Sequence, residues 1–378
     1  MSPLLTSSFF VVTIRNMYTR LVTLLFLIAA LVTGFLFFSS EVEFVNNHIV
    51  IVPEINLMET IPLEAQVGQL FAIGHWVSIP TEVTTKRVAD LQLGSIIVMD
   101  APTNENEVSI WTDAWQASSS IPLLISIDQE GGIVSRLKSS NHTQTPQSQI
   151  TTTKQAYDIA SVRAQSLLTL GINANYAPVL DKSVSLDSFM YPRVFRDPAM
   201  IATLGDAMVR GYQDNGVTAV PKHFPGHPDT SDDSHITLPI LNITKEQYIN
   251  HTQQFADIVE AGNVQILMTA HVLIPALDPD FPATVSPIVL NDLRERIGYN
   301  SIIITDDLAM QAISDRWDYS ESAVLALKAG ADMVMLAAEP ENAEIAVQAV
   351  LDAIENGELT RERVFEAYSR VMEVKENL

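Results

Sequence analysis

Eight short, uninterrupted apolar runs recur along the chain from Ile61 onward, separated by stretches of helical periodicity. The runs are QLFAIGHW from Gln69, GSIIVMD from Gly94, PLLISID from Pro122 and INANYAPVLD from Ile172. TAVPKHF follows from Thr218, VQILMTAHV from Val264, SIIITDDL from Ser301 and DMVMLAA from Asp332. Runs that do not alternate polar with apolar belong to strands covered on both faces, the habit of parallel sheets. Helical patterns lie between them, for example over Thr153–Leu170, Ile201–Asn215, Lys245–Ala261, Glu321–Ala329 and Pro340–Asn356. Eight strands with intervening helices predict an α/β chain folded as a single (β/α)8 TIM-type barrel; an open doubly wound sheet is the alternative. The last helix, over about 360–377, reaches the end of the sequence.

The ends of these runs carry charge. The third ends in Asp128, the fourth in Asp181 and the fifth in Lys222-His223. The sixth ends in His271 and the seventh in Asp306-Asp307. A lone aspartate after a strand reads as a helix cap. In a barrel, however, all strand ends converge on one mouth, where this architecture places its chemistry. Five polar ends therefore predict a pocket.

Composition removes several functions. Lys+Arg is 22 against 45 Asp+Glu, a formal charge of −23, so nothing offsets repulsion from nucleic-acid phosphates and no nucleic-acid partner is expected. Cys is 0, which excludes disulfides, thiolate metal sites and a cysteine nucleophile. Hydrophobic residues make up 47% of the chain, enough for a large core.

The N-terminus reads as an address. Leu21 to Phe38 is free of charge and, as a helix, would span about 27 Å, close to a bilayer's hydrocarbon core. Arg15 and Arg20 precede it and Glu41 and Glu43 follow, which orients the remainder away from the cytoplasm. Residues 1–40 are expected to be a membrane anchor or a cleaved signal, 41–56 a tether and 57–378 the barrel domain. The domain is thereby extracytoplasmic, membrane-anchored or secreted if the segment is cleaved.

The densest functional signal is KHFPGHPDTSDDSH, from Lys222 to His235. It can be read as a solvated acidic loop, a metal site or an acid/base site. The helical H-E-x-x-H arrangement of metalloproteases is missing, and neither a metal nor a cofactor is expected. Asp233 and His235 are one residue apart, so a turn can bring carboxylate to imidazole, and such a pair can cycle a proton near neutral pH.

This loop, with IDQEGGIVSRL from Ile127, NANYAPVLD from Asn173, PRVFRDP from Pro192 and ITDDLAM from Ile304, resembles family 3 glycoside hydrolases, more narrowly their β-N-acetylhexosaminidase branch. The resemblance runs from about Ile61 to the C-terminus. It implies a retaining, two-step reaction with Asp306 as nucleophile, His235 as acid/base and Asp233 orienting His235. It also implies sugar binding by Asp128, Arg136, Arg193, Lys222 and His223, and a carbohydrate containing N-acetylglucosamine as substrate. A monomer is expected. Asp307 is the rival nucleophile. Neighbouring strand residues face opposite ways, so only one of the pair is expected to reach the mouth. Asp181 and His271 are assigned no role, and Arg136 could simply pair with Asp128 or Glu130. Two positions depart from the family pattern: Ile133 stands where it has arginine, and Pro228 where it has glycine. The alternatives are a β-glucosidase or β-xylosidase, a glycosyl phosphorylase of the same family, a non-catalytic glycan-binding barrel and a metal hydrolase.

Overall fold

The computed structural model describes residues 42–45, 48–51, 57–139, 144–229, 234, 236–376 and 378. The expected anchor at 1–40 lies outside them, as do Asp233 and His235. No helix among the described residues is long and apolar enough to cross a membrane. The chain divides into two units, Met1–Thr60 and Ile61–Leu378. In the first, Val42–Val45 pairs antiparallel with His48–Ile51, within the stretch expected to be a tether.

The second unit holds the eight expected strands: β1 (Phe71–His75), β2 (Ser95–Val98), β3 (Leu124–Ile127), β4 (Ala174–Asn175), β5 (Thr218–Ala219), β6 (Ile266–Met268), β7 (Ile302–Asp307) and β8 (Met333–Leu336). All pair in parallel, in the order β6-β7-β8-β1-β2-β3-β4-β5. Closure between β5 and β6 is by a single bridge, Phe224 to Thr269, with the Phe224 N–H donating to Met268 O at 2.8 Å and Ala270 N–H to Phe224 O at 2.7 Å. The barrel is therefore nearly closed. The irregular side is the proline-rich one: Pro178, Pro221 and Pro225 have no N–H to give a ladder. The peptides Ala177-Pro178, Lys222-His223 and Phe224-Pro225 are cis.

Helices α1 (Thr81–Leu91), α2 (Glu107–Ser118), α3 (Thr153–Leu168), α4 (Ile201–Gln213), α5 (Gln253–Glu260), α6 (Pro287–Glu295), α7 (Tyr319–Ala329) and α8 (Ala343–Glu355) follow the strands in turn. Their starts are chemically marked. Ser286 caps α6 ahead of Pro287, and Asp318 and Glu321 form a capping box on α7, each satisfying orphan N–H groups. The single helix expected over Lys245–Ala261 is broken at Thr252. The Thr252 Oγ1 donates back to Tyr248 O at 3.0 Å, a local bond that competes with helix continuation. Apolar strand residues and the inner faces of the helices form one contiguous core.

Candidate active site

The mouth is built from the segments that follow the strands. After β3 the chain turns through Gln129–Gly131 and Val134–Ser135, a two-stranded hairpin. Gln129 holds it in shape: its Oε1 accepts from the N–H groups of Arg136 and Leu137, and its Nε2 donates to Leu137 O. Gly131 has φ +91°, and a Cβ there would come within 2.3 Å of Thr145 O, so the DQEGG turn needs glycine at this position. Asp128 and Arg136, on either side of the hairpin, line the mouth, and Glu130 within it is buried. A 3-10 turn, Tyr191–Arg193, brings Arg193 to the same place, and the segment after β5 adds Lys222 and His223.

These groups meet closely. Lys222 Nζ lies 2.6 Å from Asp128 Oδ1 and 2.7 Å from Glu130 Oε1. Arg193 grips Glu130 with two N–H groups, at 2.7 and 3.0 Å, the strong bidentate mode. Arg136 reaches Asp128 Oδ2 at 3.3 Å. Burial alone would raise Asp128 and Glu130, but Lys222 and Arg136 hold the first below the usual carboxylate range, and Arg193 and Lys222 hold the second there. Burial alone would likewise lower Lys222; its two carboxylates raise it. The cluster is thus charged on both sides.

A second cluster adjoins the first. His223 Nδ1 donates to Asp181 Oδ2 at 2.7 Å, and the N–H of His227 donates to Asp181 Oδ1 at 2.7 Å. The Arg193 Nη2 points to His223 Nε2 at 3.5 Å. Asp181, His223 and His227 carry metal-ligating atoms within 4.8 Å of one another, the one such group among the described residues. Here both Asp181 oxygens already accept hydrogen bonds. Burial pushes His227 down to about 3, so it is neutral near physiological pH.

Asp306, next to last in β7, lines the same cavity, of about 570 Å³. Burial would raise its carboxyl; the nearby His223, His271 and Lys222 and the N–H of Asp307 bring it below the ordinary value. Asp306 is therefore an anion at neutral pH. The walls of the cavity include Asp128, Arg136, Arg193, Lys222 and His223, so six of the eight residues singled out in the sequence converge. Asp233 and His235 lie outside the described residues.

One expectation is corrected. Asp306 and Asp307 both line the cavity, although strand alternation allows only one of a regular pair to do so. The register explains it. Ile304 pairs with Met333 and Asp307 with Met335, three steps along β7 for two along β8. The extra residue makes a bulge, which breaks alternation and re-aims side chains. Sequence reasoning gave no role to Asp181, although its position at the end of the fourth run was visible. It treated Glu130 only as a partner for Arg136; the structure gives Glu130 to Arg193 and Lys222.

Residues 62–374 match the glycosyl hydrolase family 3 N terminal domain. The chain belongs to this family. Among its relatives, the family 3 chain is 31% identical to a beta-hexosaminidase A of Pseudoalteromonas piscicida, over 75% of this chain and 53% of that protein. It is 36% identical to a beta-hexosaminidase of Alkalilimnicola ehrlichii, over 64% of this chain and 71% of the relative. Its fold is similar to a family 3 beta-N-acetylglucosaminidase from a Paenibacillus species, with TM-score 0.78 and 34% identity over 84% of this chain and 62% of that one. A beta-N-acetylhexosaminidase from Beutenbergia cavernae gives TM-score 0.75 and 27% identity, over 84% of this chain and 99% of the other. The chain thus spans about half the length of the Pseudoalteromonas relative.

Proposed function

We propose that this chain is a retaining exo-β-N-acetylglucosaminidase that removes terminal N-acetyl-β-glucosaminides from peptidoglycan fragments or chitin oligomers. The observation that carries the reading is the pairing of an ionised, half-buried Asp306 with a wall of fixed donors and acceptors in one cavity. A pyranose is bound by directed hydrogen bonds more than by apolar contact. Asp128 accepts from sugar hydroxyls, Lys222, Arg136 and Arg193 donate to them, and His223 meets them through Nε2, the ring nitrogen that Asp181 leaves open.

In the first step Asp306 attacks the anomeric carbon and forms a glycosyl ester as the bond to the leaving oxygen breaks. His235 protonates that oxygen. In the second step the same imidazole takes a proton from water, the water displaces Asp306, and the anion is restored. Asp233 orients the ring and stabilises its charged form. This replaces the second carboxyl of the usual pair with a histidine, and the roles of Asp233 and His235 rest on the KHFPGHPDTSDDSH motif. The apolar segment at 21–38, on the same footing, anchors or exports a monomeric domain, so the membrane is the second partner.

The test is hydrolysis of nitrophenyl N-acetyl-β-glucosaminide beside the matching glucoside. The expected result is turnover of the first, little of the second, and loss of about 10⁴-fold in Asp306→Ala. Near wild-type turnover in that variant overturns the mechanism. Sugar 1-phosphate as product, formed only with added phosphate, replaces hydrolysis by phosphorolysis.

A further inference from the structure

We infer that Asp307 is the positioning residue that aims Asp306 at the sugar. The inference rests on the reading of Asp306 as nucleophile. It starts from the bulge in β7, where regular pairing with β8 is lost between Ile304 and Asp307. A bulge frees a side chain to turn into the mouth, but it also removes the ladder that would hold that side chain still. Something else must fix the backbone there.

The missing bonds are supplied by side chains. Thr305 Oγ1 accepts the N–H of Met335 at 3.0 Å. Asp307 does more. Its Oδ1 accepts from Ala337 N–H at 2.9 Å and from Ala309 N–H at 3.1 Å, and its Oδ2 accepts from Ala338 N–H at 2.8 Å. One carboxylate therefore ties the end of β7 to the end of β8 and to its own following turn. The backbone of Asp307 is held as well: His271 Nε2 donates to its carbonyl at 2.9 Å, and its N–H donates to Asp306 Oδ1 at 2.8 Å. The last bond is the direct link. An oxygen of the nucleophile accepts from the N–H of a residue whose carboxylate and carbonyl are both held in place.

Asp307 thus differs from its neighbour both in office and in exposure: Asp306 is partly exposed, whereas Asp307 is buried. Its carboxylate spends its acceptor capacity on three backbone donors, which leaves it poorly placed to attack a sugar. An amide at this position would turn an N–H₂ group toward backbone N–H groups, a conflict of donors that the bulge can relieve only by moving. Small misplacements of a reacting atom are costly, about 10²-fold for about 1 Å.

The experiment compares the full chain with Asp307→Asn. It measures kcat and KM on nitrophenyl N-acetyl-β-glucosaminide and identifies the residue esterified by a fluorinated N-acetylglucosaminide. Folded fraction is matched by circular dichroism. The expected result is a kcat lowered about 30- to 100-fold with KM changed less than about threefold, and the label on Asp306 in both proteins. A kcat within about threefold of wild type overturns the inference, because a merely structural anchor would leave the folded enzyme's turnover alone. A label on Asp307 overturns it too. If Asp307→Asn does not fold, Asp307→Ser, which keeps an oxygen acceptor, is measured in the same way; if neither folds, the residue serves the fold and the inference is lost. A wild type inactive on every β-glycoside sinks the reading of the site itself, whereas an active wild type with an unimpaired Asp307→Asn sinks only this step.

Discussion

Both ends of the barrel bury carboxylates among cations, yet the two clusters are wired differently. At the end opposite the mouth, Asp332 is fully buried and accepts from Arg294 at 2.5 Å, Arg363 at 3.0 Å and Arg370 at 2.9 Å. Those arginines also donate to backbone carbonyls. Arg294 reaches Tyr299 O and Ser301 O, Arg363 reaches Leu327 O and Ala331 O, and Arg370 reaches Asn300 O. Their donors are committed to stitching helices and loops onto the strand starts. At the mouth, among the described residues, Lys222 and Arg136 bond carboxylates and no carbonyl, and Arg136 Nε has no partner. Charge clusters tied into the backbone act as clamps. Clusters that keep donors free beside a cavity can bind something.

Matched substitutions break or sharpen this contrast. The largest expected effect is on activity. Asp128→Asn should lower kcat/KM about 10²- to 10³-fold, because on the proposed reading a sugar hydroxyl loses its charged acceptor. Asp332→Asn should leave kcat/KM of the folded protein within about twofold. It should lower the unfolding free energy by about 3–5 kcal/mol, since three guanidinium groups lose their common anion. Steady-state kinetics and urea melts of the two variants test both statements. Equal loss of activity in both would show that the distinction between clamp and site is false.

Much of this is legible in the amino-acid sequence. The eight apolar runs fall on the eight strands because parallel strands in a barrel are covered on both faces, so their signal is local and continuous. Asp128, Lys222, His223 and Asp306 were legible because strand ends share a destination in a closed sheet. What the sequence withheld was non-local. The bulge depends on how β7 registers against β8, a strand some thirty residues further on, so the joint presence of Asp306 and Asp307 in the cavity has no signature in TDDL alone. The Asp181–His223 bond joins residues separated by 42 positions, and nothing in either run names the other. Glu130 sits in a hairpin whose path is set by Gln129, and its partner Arg193 is 63 residues away.

Acid titration should separate the mouth from the rest more gently. Asp128, Glu130, Asp181 and Asp306 all sit below the ordinary carboxylate range in the folded chain. The unfolded chain therefore binds protons more readily. The stability these groups contribute is present above the ordinary carboxylate values and is lost as the pH falls through and below them. Asp307 runs the other way. Burial raises it to about 6, so the folded chain holds its proton more tightly, and its contribution weakens as pH rises from the ordinary aspartate value to about 6. Urea melts across that interval should show stability rising less steeply with pH than in Asp307→Asn, which removes the opposing titration. A slope in the variant equal to or shallower than wild type contradicts the opposing signs.

The smallest effect on activity belongs to a buried cation at the strand-start end. Lys375 is buried, and its Nζ donates to Gln69 Oε1 and Gly94 O, both at 2.7 Å. It has no carboxylate partner among the described residues, and burial brings it down to about 7. Between about 7 and the ordinary lysine value, the unfolded chain holds a proton that the folded chain has released. Stability should therefore rise with pH across that window, then level off. Below it the protonated form carries the burial cost unrelieved. Lys375→Met removes the titration and both hydrogen bonds, and its stability should be nearly flat over the same window while activity is unchanged. A window that persists in Lys375→Met would trace the pH dependence to some other group and detach Lys375 from it.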